Sequence, residues 1–188
     1  ILVEKILTGS EKLPQSWPIS GTTGYDYLAL ANGLFIEPTG FAKLQRHWRR
    51  ITGVDGDINI EDEIYRCRLL VIDRNLASEL TYLVNYLAEI AEADWFTRDF
   101  TRKRLRDALT EIVDSFSVYR TYVTDRGASD EDRRVIAEAL AKAHRRWKGA
   151  DGEILDFIAS LLTLEIRNRN PGHFGDKHAA ILRFVARF

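Results

Sequence analysis

A single carboxylate, Glu4, interrupts the apolar run Ile1-Leu2-Val3-Glu4-Lys5-Ile6-Leu7. An apolar, strand-like run with an acid inside it is what a barrel strand presenting a catalytic carboxylate looks like. The chemistry would be general acid/base or nucleophilic. A lone charge in a strand equally suits a solvated face or an ion pair, so the pattern alone leaves both roles open. Two more clusters carry reactive or binding side chains. One is Tyr25-Asp26, directly after Gly21-Thr22-Thr23-Gly24, and the other is Tyr119-Arg120-Thr121-Tyr122. If the second is extended, Tyr119 and Thr121 face one way and Arg120 and Tyr122 the other. Lys5 follows the acid directly and in a strand points to the opposite face, which suits a structural role.

Other chemistries find little support. Gly21-Thr22-Thr23-Gly24 lacks the Gly-Lys-Ser/Thr ending of a phosphate loop and reads as well as a helix cap and turn. His47, His144, His173 and His178 show no paired ligand spacing, so no metal and no cofactor is expected. Lys+Arg 27 against Asp+Glu 28 gives a net charge of −1, which argues against a nucleic-acid partner needing a basic field. The basic stretch Arg98–Arg104 is balanced by acids and reads as a solvated face. Cys67 is the one cysteine, so no internal disulfide is possible, and a reducing, cytoplasmic setting is expected. No apolar stretch approaches the roughly 20 residues that span a bilayer, so no membrane partner is expected.

The elements that would position these residues are mostly helical. Ser10–Ser20, with Pro14 and Pro18, reads as a loop. Thr22 or Thr23 is placed to cap a helix through Tyr25, Leu28, Leu30, Ala31 and Leu34. Pro38 starts another, with Phe41, Leu44, Trp48 and Ile51 on one face, and Gly53, Gly56 and the neighbouring aspartates form a turn. Ile60–Ala93 is the strongest helical signal. Ile60, Ile64, Cys67 and Val71 form one stripe; Ile72, Leu76, Leu80, Leu83, Leu87 and Ile90 form a slightly rotated one. Both are expected to be buried, with a bend near Asp73-Arg74-Asn75. Further helices are expected over Thr97–Ser115, from the capping box Ser129-Asp130-Glu131-Asp132 to Gly149, from Asp151 or Gly152 through Leu162, and over Lys177–Phe188. Val118–Val123 reads as extended, and Asn168-Arg169-Asn170-Pro171-Gly172 as a polar break.

Val3-Glu4-Lys5-Ile6-Leu7, then Leu13-Pro14 and Trp17-Pro18, then Gly21-Thr22-Thr23-Gly24-Tyr25-Asp26-Tyr27-Leu28, occur in the order found in maltooligosyltrehalose synthases of the α-amylase superfamily. Tyr27 departs from the family's usual Phe but keeps an aromatic ring. Phe116-Ser117-Val118-Tyr119-Arg120-Thr121-Tyr122 resembles the family's F-x-VYRTY segment, and Arg187-Phe188 the start of its RFQQ stretch. The resemblance runs from end to end of the chain. It implies an internal piece of a longer enzyme, in keeping with 188 residues and no methionine.

The implied fold is mainly α: residues 1–36 as a barrel-derived segment with one barrel-strand remnant, and 37–188 as a helical insertion of a (β/α)8-barrel enzyme. Cut from its neighbours, the first strand should fray, pair locally or pair with another copy. The resemblance makes Glu4 the general acid/base. It makes Tyr25, Asp26, Tyr119, Arg120 and Tyr122 candidates for binding a maltooligosaccharide, because aromatic faces stack on sugars and arginine forks hold hydroxyls or carboxylates. The implied reaction turns the reducing-end α-1,4 linkage into α,α-1,1, with the freed glucose re-attacking before water can. The nucleophilic and the stabilising aspartates would lie outside this chain, and Asp26 and Asp94 do not replace them. The partners implied are the glucan and the rest of the parent polypeptide. The contrasting reading of the same residues is a non-catalytic helical scaffold or interaction module.

Overall fold

A parallel strand pair needs a long connection, and the loop between Glu4 and Ser20 supplies one. In the computed structural model, which describes residues 1–9, 11–54, 59–166 and 177–188, β1 (Leu2–Val3) pairs in parallel with β2 (Gly21–Thr22). Leu2 sits opposite Gly21 and Val3 opposite Thr22. Ser20 N donates to Ile1 O at 2.8 Å and Thr23 N to Val3 O at 3.1 Å. The first strand is thus held by a local pairing.

The chain packs as two units, Ile1–Asn59 and Ile60–Phe188. In the first, β2 leads into α1 (Tyr25–Gly33), and α2 (Pro38–Thr52) follows. The α1 cap differs from the expected threonine: Gly24 occupies it at φ 95°, a left-handed conformation that a side chain would strain. Thr22 serves the cap from two residues away, its Oγ1 accepting from Gly24 N at 3.2 Å. The α2 start follows local rules, with Pro38 at its head and the Glu37 carboxylate accepting from Thr39 N and Gly40 N. Gly53 ends it at φ 68°. Neither helix buries a residue, and the face bearing Phe41, Leu44, Trp48 and Ile51 is exposed. Among the described residues of this unit Lys5 alone is buried.

The second unit holds the hydrophobic core. Its described helices are α3 (Ile60–Arg74), α4 (Ala77–Ala91), α5 (Arg102–Ser115), α6 (Asp130–Arg146), α7 (Glu153–Leu162) and α8 (His178–Arg187). The expected bend near Asp73-Arg74-Asn75 is a break: Asn75 N and Leu76 N both reach back to Val71 O, at 2.8 and 3.1 Å. The α4 stripe is buried as expected, through Leu80, Leu83, Leu87 and Ile90. The α3 stripe is not. Ile60, Ile64, Cys67 and Val71 are exposed and only Ile72 of α3 is buried, because α3 turns its other side to α4 and α5.

α7 is apolar almost all round, which fits a central helix, and Ile154, Leu155, Ile158 and Leu161 are wholly shut from solvent. Each such side chain contributes roughly 1.5–3 kcal/mol relative to exposure. Phe184 and Ile181 of α8 close the same core.

Two expectations fail locally. α5 begins at Arg102 rather than Thr97, because the Thr101 hydroxyl caps it, accepting from Arg104 N at 3.3 Å. Residues 118–123 form no strand: the chain bends at 117–119, and an antiparallel bridge joins Thr124 to Gly127. The capping box at α6 is present, with Ser129 Oγ accepting from Asp132 N at 3.1 Å and Asp132 Oδ2 accepting from Ser129 N at 3.0 Å. Ser10, the turn residues Asp55, Gly56 and Asp57, the break at 168–172 and His173 lie outside the described residues.

Candidate functional site

Glu4 follows directly on β1, exposed, and accepts a hydrogen bond from the Tyr25 hydroxyl at 3.0 Å on its Oε1. Two motifs separated by a loop are thereby joined: the strand brings the carboxylate and the first residue of α1 brings the phenol. The bond and the nearby negative charge both raise the Tyr25 pKa above its ordinary value, since they favour the neutral phenol. Lys5 is buried where Glu4 is exposed, and its ammonium donates to Glu11 Oε1 at 2.5 Å. Glu11 is fixed in turn by Thr8 N, 3.2 Å from its Oε2. Glu4 therefore has a phenol as its neighbour while the adjacent ammonium is engaged elsewhere.

Asp26 lies in the first turn of α1 and accepts from Thr22 Oγ1 at 3.1 Å. Its charge sits where a helix dipole favours an anion, which suits the start of α1. Glu4, Tyr25 and Asp26 belong to the first unit; Tyr119, Arg120 and Tyr122 belong to the second.

In that second unit the Arg120 guanidinium lies 5.4 Å from the Tyr122 ring centroid, a cation–π contact. Tyr122 N donates to Asp132 Oδ1 at 3.0 Å, so the α6 capping box also pins the segment. Tyr119 is 90% exposed, leaving its whole ring face for contact. It borders an apolar groove of about 400 Å³ with Val71, Leu76 and Phe188.

The sequence reading did not single out a polar cluster inside the helical unit. Asp114 of α5 is 1% exposed and pairs with Arg146 of α6 at 2.7 Å, while Arg68 of α3 donates to its backbone carbonyl at 2.7 Å. One turn earlier, Glu111 Oε1 accepts from the Tyr65 hydroxyl at 2.5 Å, and Arg146 lies 4.3 Å over the Tyr65 ring. Burial, then the Glu111 bond and charge, push the Tyr65 phenol up to about 12. The available signal was a pair of acids three residues apart on a helix otherwise facing the core with Leu105, Ala108, Leu109 and Ile112. Asp94, also buried, closes a turn by accepting from Phe96 N at 2.8 Å.

His144 pairs with Asp156 at 3.0 Å and His47 with Arg50 at 2.7 Å, both at the surface. Among the described residues no group of three or more His, Cys, Asp or Glu side chains could hold a metal ion. No described helix is long and apolar enough to cross a membrane.

No protein-family model matches the sequence, and no curated protein matches it. Among solved structures the chain is similar to maltooligosyltrehalose synthase from Arthrobacter ramosus, with a TM-score of 0.68 and 28% identity. The similarity covers 98% of this chain and 20% of that one, so the chain spans about a fifth of the length of the protein it matches. The mainly helical fold described above is therefore also the fold of one region of a larger enzyme.

Proposed function

We propose that this chain is the acid/base-bearing segment of an intramolecular transglucosylase that forms maltooligosyltrehalose. The observation that carries the reading is the end-to-end likeness, in fold and at 28% identity, to a region of a maltooligosyltrehalose synthase. The Glu4–Tyr25 pair gives it a chemical centre.

In this reading Glu4 protonates the glycosidic oxygen as the bond to the terminal glucose breaks. It then takes the proton of the hydroxyl that re-attacks. Tyr25 holds Oε1, which fixes the plane of the carboxylate and leaves Oε2 to exchange the proton. Retaining chemistry requires a second carboxyl about 5–5.5 Å away, and in this reading it comes from the polypeptide outside these residues, as does a third, stabilising carboxylate. Tyr25, Asp26, Tyr119, Arg120 and Tyr122 bind the maltooligosaccharide. Tyr25, beside Glu4, walls off the freed glucose so that its own hydroxyl outcompetes water. Residues 1–36 derive from the barrel and 37–188 from an insertion, and the longer enzyme works in the cytoplasm on soluble glucans.

The test is product analysis on one maltooligosaccharide. The longer polypeptide that carries this chain should yield the trehalose-capped isomer, and the isolated 188-residue chain should yield neither isomer nor glucose. Isomer from the isolated chain would contradict the placement of the other carboxylates. Absence of isomer from the longer polypeptide would remove the proposal.

A further inference from the structure

Trp95 and Phe96 are 68% and 77% exposed on the turn that joins α4 to α5, yet the backbone beneath them is firmly built. Asp94, 3% exposed, accepts from Phe96 N at 2.8 Å on its Oδ1, and its carbonyl accepts from Thr97 N and Arg98 N at 3.2 and 2.9 Å. The Thr97 hydroxyl donates to Ala91 O at 2.8 Å. At the far end the Phe100 ring lies 5.8 Å from that of Phe157 and ties the turn to the core. Burying a carboxylate is costly unless it is well bonded, and here its bonds hold two large rings out in water.

The charge around those rings points to a neutral ligand. Residues 92–99 hold three acids, Glu92, Asp94 and Asp99, against one base, Arg98. The bases that follow are engaged elsewhere: Arg102 with Asn85, Lys103 with Asp107 and Arg104 with Asp151. Such a surface does not draw in a phosphate, a nucleic acid or an anionic membrane. The Arg98 guanidinium also lies 3.7 Å over the Trp95 ring, which covers one face of the indole and leaves the other open. A ring that entered a bilayer would carry that cation with it, which hydrocarbon opposes.

Size narrows the ligand further. Two aromatic side chains offer about 150–250 Å² each. A lasting protein interface takes about 800 Å² from each partner, and the residues flanking these rings are charged. An apolar small molecule requires a concave site, which an exposed turn is not. A neutral oligosaccharide meets all three conditions. Its pyranose rings have C–H faces that stack on an aromatic ring, and hydroxyls at the rim that suit Arg98, Asp99 and water.

We infer that the Trp95–Phe96 turn is a surface site for an α-1,4-glucan, in the helical unit and sharing no residue with the Glu4–Tyr25 pair. The choice of an α-1,4-linked chain rests on the proposed reaction; the platform and the neutrality of its ligand do not.

Calorimetric titration of the 188-residue chain with maltoheptaose tests it. Binding should be saturable, with a Kd of about 1 mM or tighter. Trp95→Ala and Phe96→Ala should each weaken it about fivefold or more with an unchanged circular-dichroism spectrum, since both side chains are exposed. Trp95→Tyr, which keeps a ring, should stay within about twofold of the unsubstituted chain. No saturable binding, full affinity in the Trp95→Ala/Phe96→Ala double variant, or tighter Trp95-dependent binding of an oligothymidylate or of phosphatidylcholine vesicles would overturn the inference. Isomer formation by the parent enzyme without binding at the turn would remove this site and keep the reaction. Binding at the turn without isomer formation would do the reverse.

Discussion

The first 59 residues and the remaining 129 make opposite use of apolar side chains. In Ile1–Asn59 the exposed set includes Leu28, Leu34, Phe35, Phe41, Leu44 and Ile51, and the one buried described residue is a lysine. In Ile60–Phe188 the same residue types converge, and Leu87, Ile90, Leu105, Leu109, Ile154 and Phe184 are sealed from water. The Glu4–Tyr25 pair, the centre of the proposed proton chemistry, belongs to the unit without a core, so on that proposal the proton chemistry and the stability reside in different parts of the chain. A mutation should accordingly disturb one or the other.

The largest stability effect is expected in the second unit. Phe184→Ala removes a ring that is fully buried and lies 6.1 Å from Phe188, and should cost about 3–5 kcal/mol in denaturant unfolding. Arg146→Ala should cost about 3 kcal/mol, because it strips the main ion-pair partner from a carboxylate that is 1% exposed. Ser129→Ala should cost about 1 kcal/mol by removing half of the α6 capping box. In the first unit Leu44→Ala, on the open face of α2, should stay within about 0.5 kcal/mol in the isolated chain. A cost for Leu44→Ala equal to that for Phe184→Ala would erase the contrast between the two regions.

The contrast also has a pH signature. Tyr65 in the second unit has its pKa raised from 10.0 to about 12, so its folded environment favours the neutral phenol. The associated stabilisation is complete below pH 10 and is lost as pH rises through 12. Ultraviolet titration should show a tyrosine step near pH 12, and Tyr65→Phe should remove that step. Titration of all seven tyrosines together near pH 10 would contradict the packing of Tyr65 against Glu111.

Much of the second unit was legible because its signals are local. The capping box at Ser129, the apolar α7 and the interruption at Asp73-Arg74-Asn75 each depend on a few adjacent residues. Burial of the α3 stripe was not legible. Periodicity marks one face of a helix as apolar but does not say whether another element lies against it, and Ile60, Ile64 and Val71 remain exposed. The start of α5 was misplaced by five residues because Phe100 keeps the helical spacing while Thr101 supplies the cap. At the candidate site, the structural role expected of Lys5 agrees with its burial and its pairing with Glu11, although the strand ends at Val3. The Tyr25 hydroxyl reaching Glu4 could not be read, since it depends on how the loop at 4–20 closes β2 against β1. The Asp114–Arg146 pair was hidden for the same reason, because its partners come from different helices.

Substituting Glu4 by glutamine in the proposed parent enzyme tests the central claim most directly, that Glu4 does the proton chemistry while the helical unit carries the stability. Glutamine keeps the shape and the acceptor for Tyr25 but cannot give or take the proton. Turnover of a maltooligosaccharide should fall by about 10²- to 10⁴-fold, with glucan affinity and melting temperature unchanged. Turnover within about tenfold of the unsubstituted enzyme would show that Glu4 is not the acid/base.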